Sequence, residues 1–147
     1  MSILEQLLEA RDRDDPEAIS TLIPYCGFLG MTARRVDGDL RLHLPFQPHQ
    51  IGNPAIPALH GGTVGSMLET IAIFQVLWAH DVVSVPRTIN LTVDYQRPGR
   101  PVETWAHARV AKRGRRVFSV VSEAWQDEPD RPISTALVHL LVKTREE

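Results

Sequence analysis

Residues 58–70 read ALHGGTVGSMLET, a run holding a histidine, a pair of glycines and one carboxylate. Gly61 and Gly62 stand where a helix begins, although glycine is a poor helix former. Their backbone N–H groups lie uncovered at the positive end of the helix dipole, where a carbonyl oxygen gaining negative charge is stabilised. Glu69 sits further along among apolar neighbours, and burying an unpaired carboxylate costs on the order of several kcal/mol. An oxyanion donor and a carboxylate on one helix make an acyl-transfer pair. Glu69 is then a nucleophile or general base in an apolar shell that raises its basicity. The competing reading pairs Glu69 with an arginine across an interface, or lets it reach a water-filled gap. Along one helix the two groups are about 12 Å apart. They converge only where the helices of two subunits run antiparallel side by side, so the chemistry requires a dimer.

The elements that must position these groups follow from the pattern. Residues 61–79 contain no proline and read as the longest helix, with apolar residues on every side of the wheel: Val64, Met67, Leu68, Ile71, Phe74 and Trp78 on one, Ala72, Ile73 and Val76 on the other. Such a helix is buried. A sheet curling round it covers one side, and a second subunit is the simple cover for the rest. Before it, Ser2 caps an amphipathic helix over residues 2–12, and Asp15-Pro16 starts another that runs towards Leu22. GMTARRV, then Asp37-Gly38, then LRLHLPF reads as a hairpin. Residues 45–59 carry Pro45, Pro48, Pro54 and Pro57 and read as a long ordered functional loop. After the helix, TINLTVDYQ, VETWAHARVAK, RVFSVVSEAWQ and ISTALVHLLVK read as four strands, with a basic tip, KRGRR, centred on Gly114. One hairpin, one long helix and four strands give an α+β fold with a sheet against a single principal helix.

Bulk composition bounds the rest. With 147 residues, 43% hydrophobic and 23% charged, the chain reads as one domain. A net charge of −2 offers no polycation for nucleic acid. One cysteine, Cys26, fits a reducing compartment and forms no internal disulfide. The amino terminus lacks the run of a signal peptide, and no apolar stretch approaches the roughly 20 residues that span a bilayer. The expectation is a cytoplasmic protein with no membrane partner.

HGG with an acid nine residues after His60, the stretches IGNPAIPALHGG and VDYQRPGR, and the element order over residues 28–142 resemble the hotdog fold, and within it the PaaI-like acyl-CoA thioesterases. The resemblance implies an antiparallel sheet wrapped around one central helix, with residues 1–27 as a helical extension. It also implies a homodimer or dimer of dimers with sites at the subunit interface. By carry-over, the Gly61 N–H polarises the thioester carbonyl, and Glu69 of the opposite subunit attacks it or activates water. Asn53 lies near the thioester or the water, His60 orients the loop, and Thr88 supplies a small hydroxyl near the acid. Many such proteins carry aspartate where this chain has Glu69; glutamate occurs in the aryl-CoA thioesterases of the group. The substrate is an acyl-CoA, and no cofactor is implied, coenzyme A being part of that substrate.

For coenzyme A, the candidates are Gly62, Arg97 beside Pro98, and Arg113, Arg115 and Arg116 of the basic tip, since arginine forks match phosphate oxygens. An ordinary strand end and a solvated tip that guards a sheet edge are the competing readings. The histidines other than His60 lack metal-ligand spacing, so no metal is expected. Met67, Phe74 and Trp78 read as core, and Cys26 as a small buried residue. Two other functions stay open: a hotdog hydratase or dehydratase acting on 3-hydroxyacyl thioesters through His60 and Glu69, and a non-catalytic acyl-CoA binder.

Overall fold

The computed structural model describes residues 1–145. Three short helices come first: α1 (Ile3–Asp12), α2 (Pro16–Leu22) and α3 (Pro24–Leu29). Ser2 and Glu5 form a reciprocal capping box at 3.1 Å in each direction, and Asp15 caps the Ala18 N–H. The third helix departs from expectation. Pro24 starts it and Gly30 ends it at φ +85°, so one proline-to-glycine segment makes a turn and a half of helix too short to show periodicity.

β1 (Thr32–Val36) and β2 (Asp39–Leu44) form the expected hairpin. Asp37 and Gly38 both have positive φ, 53° and 81°, the geometry whose twist matches antiparallel strands. Residues 45–59 are not the featureless loop that their prolines suggest. They hold a single 3-10 turn (Pro48–Gln50) and a small second hairpin, β3 (Ile51–Asn53) with β4 (Ile56–Leu59). In this two-stranded piece Pro54 lies in the turn and Pro57 on an edge strand, where a missing N–H costs nothing.

Then come α4 (Gly61–Ala79), β5 (Arg87–Tyr95), β6 (Thr104–Arg113), β7 (Val117–Trp125) and β8 (Ser134–Leu141). The main sheet is antiparallel in the order β1-β2-β6-β7-β8-β5 and wraps around α4. Inward residues of the sheet, among them Leu42, Leu44, Ala106, Phe118, Val120, Val138 and Leu140, meet Met67, Leu68, Ile71, Ala72 and Leu77 of the helix in one core. Burying such side chains contributes about 1.5–3 kcal/mol each. Leu7, Ala10 and Ile19 of the first two helices join the same core. A buried hydroxyl pins the helix halfway: Ser122 Oγ donates to the Leu68 carbonyl at 2.9 Å.

One expectation about α4 needs correction. By length and composition it does reach the size of a membrane span, but 56% of that window is buried inside the protein. The sheet covers one side of it and leaves the other open. Gly62 is exposed, and Ser66, Glu69, Thr70 and Ile73 are only half-buried, so an arc down one side stays open. The sheet has a matching opening. β5 is an end strand, paired with β8 alone, and Ile89 and Tyr95 on it are each 56% exposed.

Candidate active site

The mouth of α4 is held by the loops around it. The His60 N–H donates to the Gln50 carbonyl at 2.8 Å, and the Leu59 N–H to the Gly99 carbonyl at 2.8 Å. Gln50 is fully buried; its amide nitrogen reaches the carbonyls of Leu29 (2.9 Å) and Pro45 (3.1 Å), and its oxygen accepts the Gln47 N–H (3.1 Å). These bonds fix where the helix begins.

A helix leaves its first N–H groups without intrahelical partners, and here almost all of them are spoken for. Thr63 and Val64 N–H both donate to the His60 carbonyl, at 2.9 and 3.3 Å. The Gly62 N–H donates to His60 Nδ1 at 2.8 Å, so that ring nitrogen carries no proton. The carbonyls are engaged too. Ser66 Oγ donates to the Gly62 carbonyl at 2.7 Å, and Tyr95 Oη to the Gly61 carbonyl at 2.8 Å. What is left over is the Gly61 N–H, which has no partner among the described residues.

The paired glycines have a steric reason as well. A Cβ at Gly62 would lie 2.9 Å from His60 Nδ1, and one at Gly61 would lie 3.2 Å from Tyr95 Oη. Gly62 thus lets the imidazole fold back as a cap, and Gly61 lets the phenol reach the helix.

Gly61 lines a cavity of about 370 Å³ with Leu59, Val64, Tyr95, Arg97 and Ile133. Its walls are apolar next to the open N–H, which suits an acyl group beside a polarised carbonyl. Of the arginines expected to meet coenzyme A, Arg97 alone lies here, its guanidinium donating to the Pro132 carbonyl. Gly62 is adjacent, but its N–H is already used.

The other expected residues lie elsewhere on the chain. Glu69 is half-buried on the open arc and has no hydrogen bond or ion pair among the described residues. Within the chain, no arginine pairs with it among the described residues. It is absent from the wall of the Gly61 cavity. Asn53 is exposed near the tip of the β3–β4 hairpin, where its Oδ1 accepts the Ala55 N–H at 3.0 Å. Thr88 is near the far end of β5, and its Oγ1 is buried without a partner. Arg113, Arg115 and Arg116 are at the wrong end for their own Gly61. Tyr95 pairs with Ser134 and Ser134 with Ala124 at one end of the sheet, whereas Phe118, beside the tip, pairs with Leu140 and packs against His80 after the helix C-terminus. The tip does form a cavity of its own, about 540 Å³, lined by Lys112, Arg115, Arg116 and Ser119. Cys26 is buried, which pushes its thiol up to about 11 and makes it a poor nucleophile. His43 and His107 are held by carboxylates instead, His43 by Glu103 (3.0 Å) and His107 by Asp39 (3.0 Å).

Sequence reasoning missed Tyr95 and Gln50. Gln50 carries no signal beyond its place among prolines. Tyr95 is an aromatic at the end of an edge strand, directly before Gln96-Arg97-Pro98, and such an exposed aromatic is the signal that was available.

Comparison with known proteins agrees with this geometry. Residues 57–133, more than half of the chain, match the Thioesterase superfamily. The medium/long-chain acyl-CoA thioesterase YigI of Escherichia coli is 31% identical over 120 residues, covering 72% of this chain and 77% of that protein. A solved structure from Chromobacterium violaceum superposes with a TM-score of 0.79 at 33% identity, covering 97% of this chain and 99% of that one. Another, a Bacillus halodurans protein solved with CoA, has a TM-score of 0.70 at 20% identity over 95% of this chain and 87% of that one. The sheet wrapped around α4 is the hotdog fold, and the chain belongs to the thioesterase superfamily as a thioester hydrolase.

Proposed function

We propose that the protein hydrolyses acyl-CoA thioesters at a site built from two chains. The Gly61 N–H of one chain, aided by the helix dipole, takes the thioester oxygen, and Glu69 of the second chain supplies the carboxylate. As general base, Glu69 removes a proton from water as the water oxygen bonds to the carbonyl carbon; the C–S bond then breaks, and the proton passes to the thiolate. As nucleophile, Glu69 forms an acyl anhydride with loss of the thiolate, and water cleaves it. The observation that carries this reading is the uncommitted Gly61 N–H in a first turn whose neighbouring N–H and carbonyl groups are bonded, on a residue that lines a largely apolar cavity. The open arc bearing Glu69 and the free edge of β5 lend a second chain both a place to sit and a reason to be needed. His60 favours hydrolysis over hydration, because a neutral ring that accepts the Gly62 N–H at Nδ1 carries its proton on Nε2 and offers no free base for a 3-hydroxyacyl substrate.

By the same reading Asn53 and Thr88 belong to this composite site, once the partner's surface completes it. For coenzyme A, Arg97 of the Gly61 chain flanks the cavity. In an antiparallel pair of helices the partner's basic tip, with Arg113, Arg115 and Arg116, comes to that side and meets the phosphates.

The test is thiol release from an acyl-CoA by two inactive variants and their mixture. Glu69→Gln should lower turnover by about 10²–10⁴-fold, and Gly61→Val should do the same by filling the cavity wall. Mixed dimers of the two regain one intact site and therefore measurable turnover. A mixture as inactive as its parents, or an active Glu69→Gln, refutes the two-chain site.

A further inference from the structure

We propose that Tyr95 is a positioning residue for the oxyanion donor, acting through the Gly61–Gly62 peptide. This rests on the reading of the Gly61 N–H as that donor. Glycine backbones rotate with the least hindrance, so a donor N–H on Gly61, followed at once by Gly62, needs outside restraint to keep its aim. The Gly61–Gly62 peptide is restrained at both ends: Tyr95 Oη–H grips its carbonyl at 2.8 Å, and His60 Nδ1 grips its N–H at 2.8 Å. The first restraint comes from the sheet, not from the helix. Tyr95 ends β5 opposite Ser134, whose hydroxyl donates to the Asp94 carbonyl at 2.8 Å and holds that strand end.

The surroundings are shaped for this contact. A Cβ at Gly61 would meet Tyr95 Oη at 3.2 Å and Cζ at 3.3 Å, and one at Gly65 would meet Oη at 3.5 Å. Glycine at 61 therefore serves twice, leaving its N–H accessible and letting the phenol approach from the other side. Because the hydroxyl proton is committed to the carbonyl, Tyr95 does not donate to substrate. Its effect appears where charge develops on the thioester oxygen, and binding of the ground state is left alone.

Tyr95→Phe keeps the ring and removes the bond. The expected result is a fall in kcat of at least threefold, the worth of one net hydrogen bond, at unchanged KM, together with faster hydrogen exchange at the Gly62 amide. A fall of less than threefold with unchanged exchange overturns the proposal, as does a loss confined to KM or to the unfolding midpoint. Where Tyr95→Phe does not fold, fluorotyrosine at position 95 retains the ring and strengthens the donor; kcat unaltered by that replacement overturns the proposal equally. Glu69→Gln is measured alongside. If it keeps full turnover, the site reading itself fails, and the amide exchange alone then decides whether Tyr95 holds the peptide.

Discussion

The two ends of α4 are treated in opposite ways. At the C-terminal end, where the dipole is negative, the last carbonyls are met by a cation from within the chain: Arg11 of α1 donates to the His80 carbonyl at 3.0 Å and reaches the Leu77 carbonyl at 3.5 Å. His80 packs its ring against Phe118 with centroids 5.0 Å apart. At the N-terminal end the chain instead bonds the N–H groups of Gly62, Thr63 and Val64 and leaves that of Gly61 without a partner among the described residues, on a residue that lines a largely apolar cavity. A helix end closed by the protein is architecture. One that leaves a donor without a partner beside a cavity has room for a ligand. The difference lies in what each end is offered, because the helix itself is continuous.

Three experiments press on this contrast. The largest effect is expected where the closed end carries a second, ligand-directed feature. Replacing Arg115 and Arg116 together by alanine should raise KM for an acyl-CoA at least tenfold, since charge-assisted bonds to phosphate are worth about 1.5–3 kcal/mol. The KM for an acyl-pantetheine, which lacks the nucleotide, should not move; equal changes in both would remove the tip from phosphate binding. Next in size, Arg11→Ala should cost about 2 kcal/mol of stability and lower Tm by about 5 °C, with kcat and KM unchanged. Altered kinetics there would mean the two ends are not separable.

The smallest effect concerns pH. Burial, aided by the Arg113 charge, holds His80 below its ordinary value near 6.5. The folded chain therefore binds that proton less readily than the unfolded one. Its contribution is present above the ordinary value and drains away as pH falls through the lower folded value. Glu103, whose carboxyl is held below the usual range by the His43 hydrogen bond, shifts stability in the same direction at more acid pH. Thermal melts between pH 7.5 and 5 should show a declining midpoint that flattens slightly in His80→Gln; a variant melting in parallel with the parent would contradict the assignment.

Much of the fold was readable before any coordinates. Asp37-Gly38 announced a hairpin because both positions need positive φ, and the limits of α4 followed from the absence of proline between Pro57 and Pro86. Local chemistry failed where tertiary packing decides. Which arc of α4 the sheet leaves uncovered depends on how far the sheet curls, so periodicity alone does not show that Glu69 lies on the open side. Where the basic tip lies relative to Gly61 is set by strand register, which carries it to the other end of the sheet. Tyr95 could not be paired with Gly61 by any rule of spacing, for 34 positions separate them.

Gln50 has a reach beyond its size. One buried amide joins the end of α3 to the turn before β3, and its own backbone carbonyl receives His60. Together with His49, whose Nε2 meets the Phe28 carbonyl at 2.9 Å, Gln50 ties the last of the leading helices to the doorway of α4. Trimming or fusing at the front of the polypeptide would thus be felt as altered catalysis, and anyone engineering that segment would be tuning the enzyme.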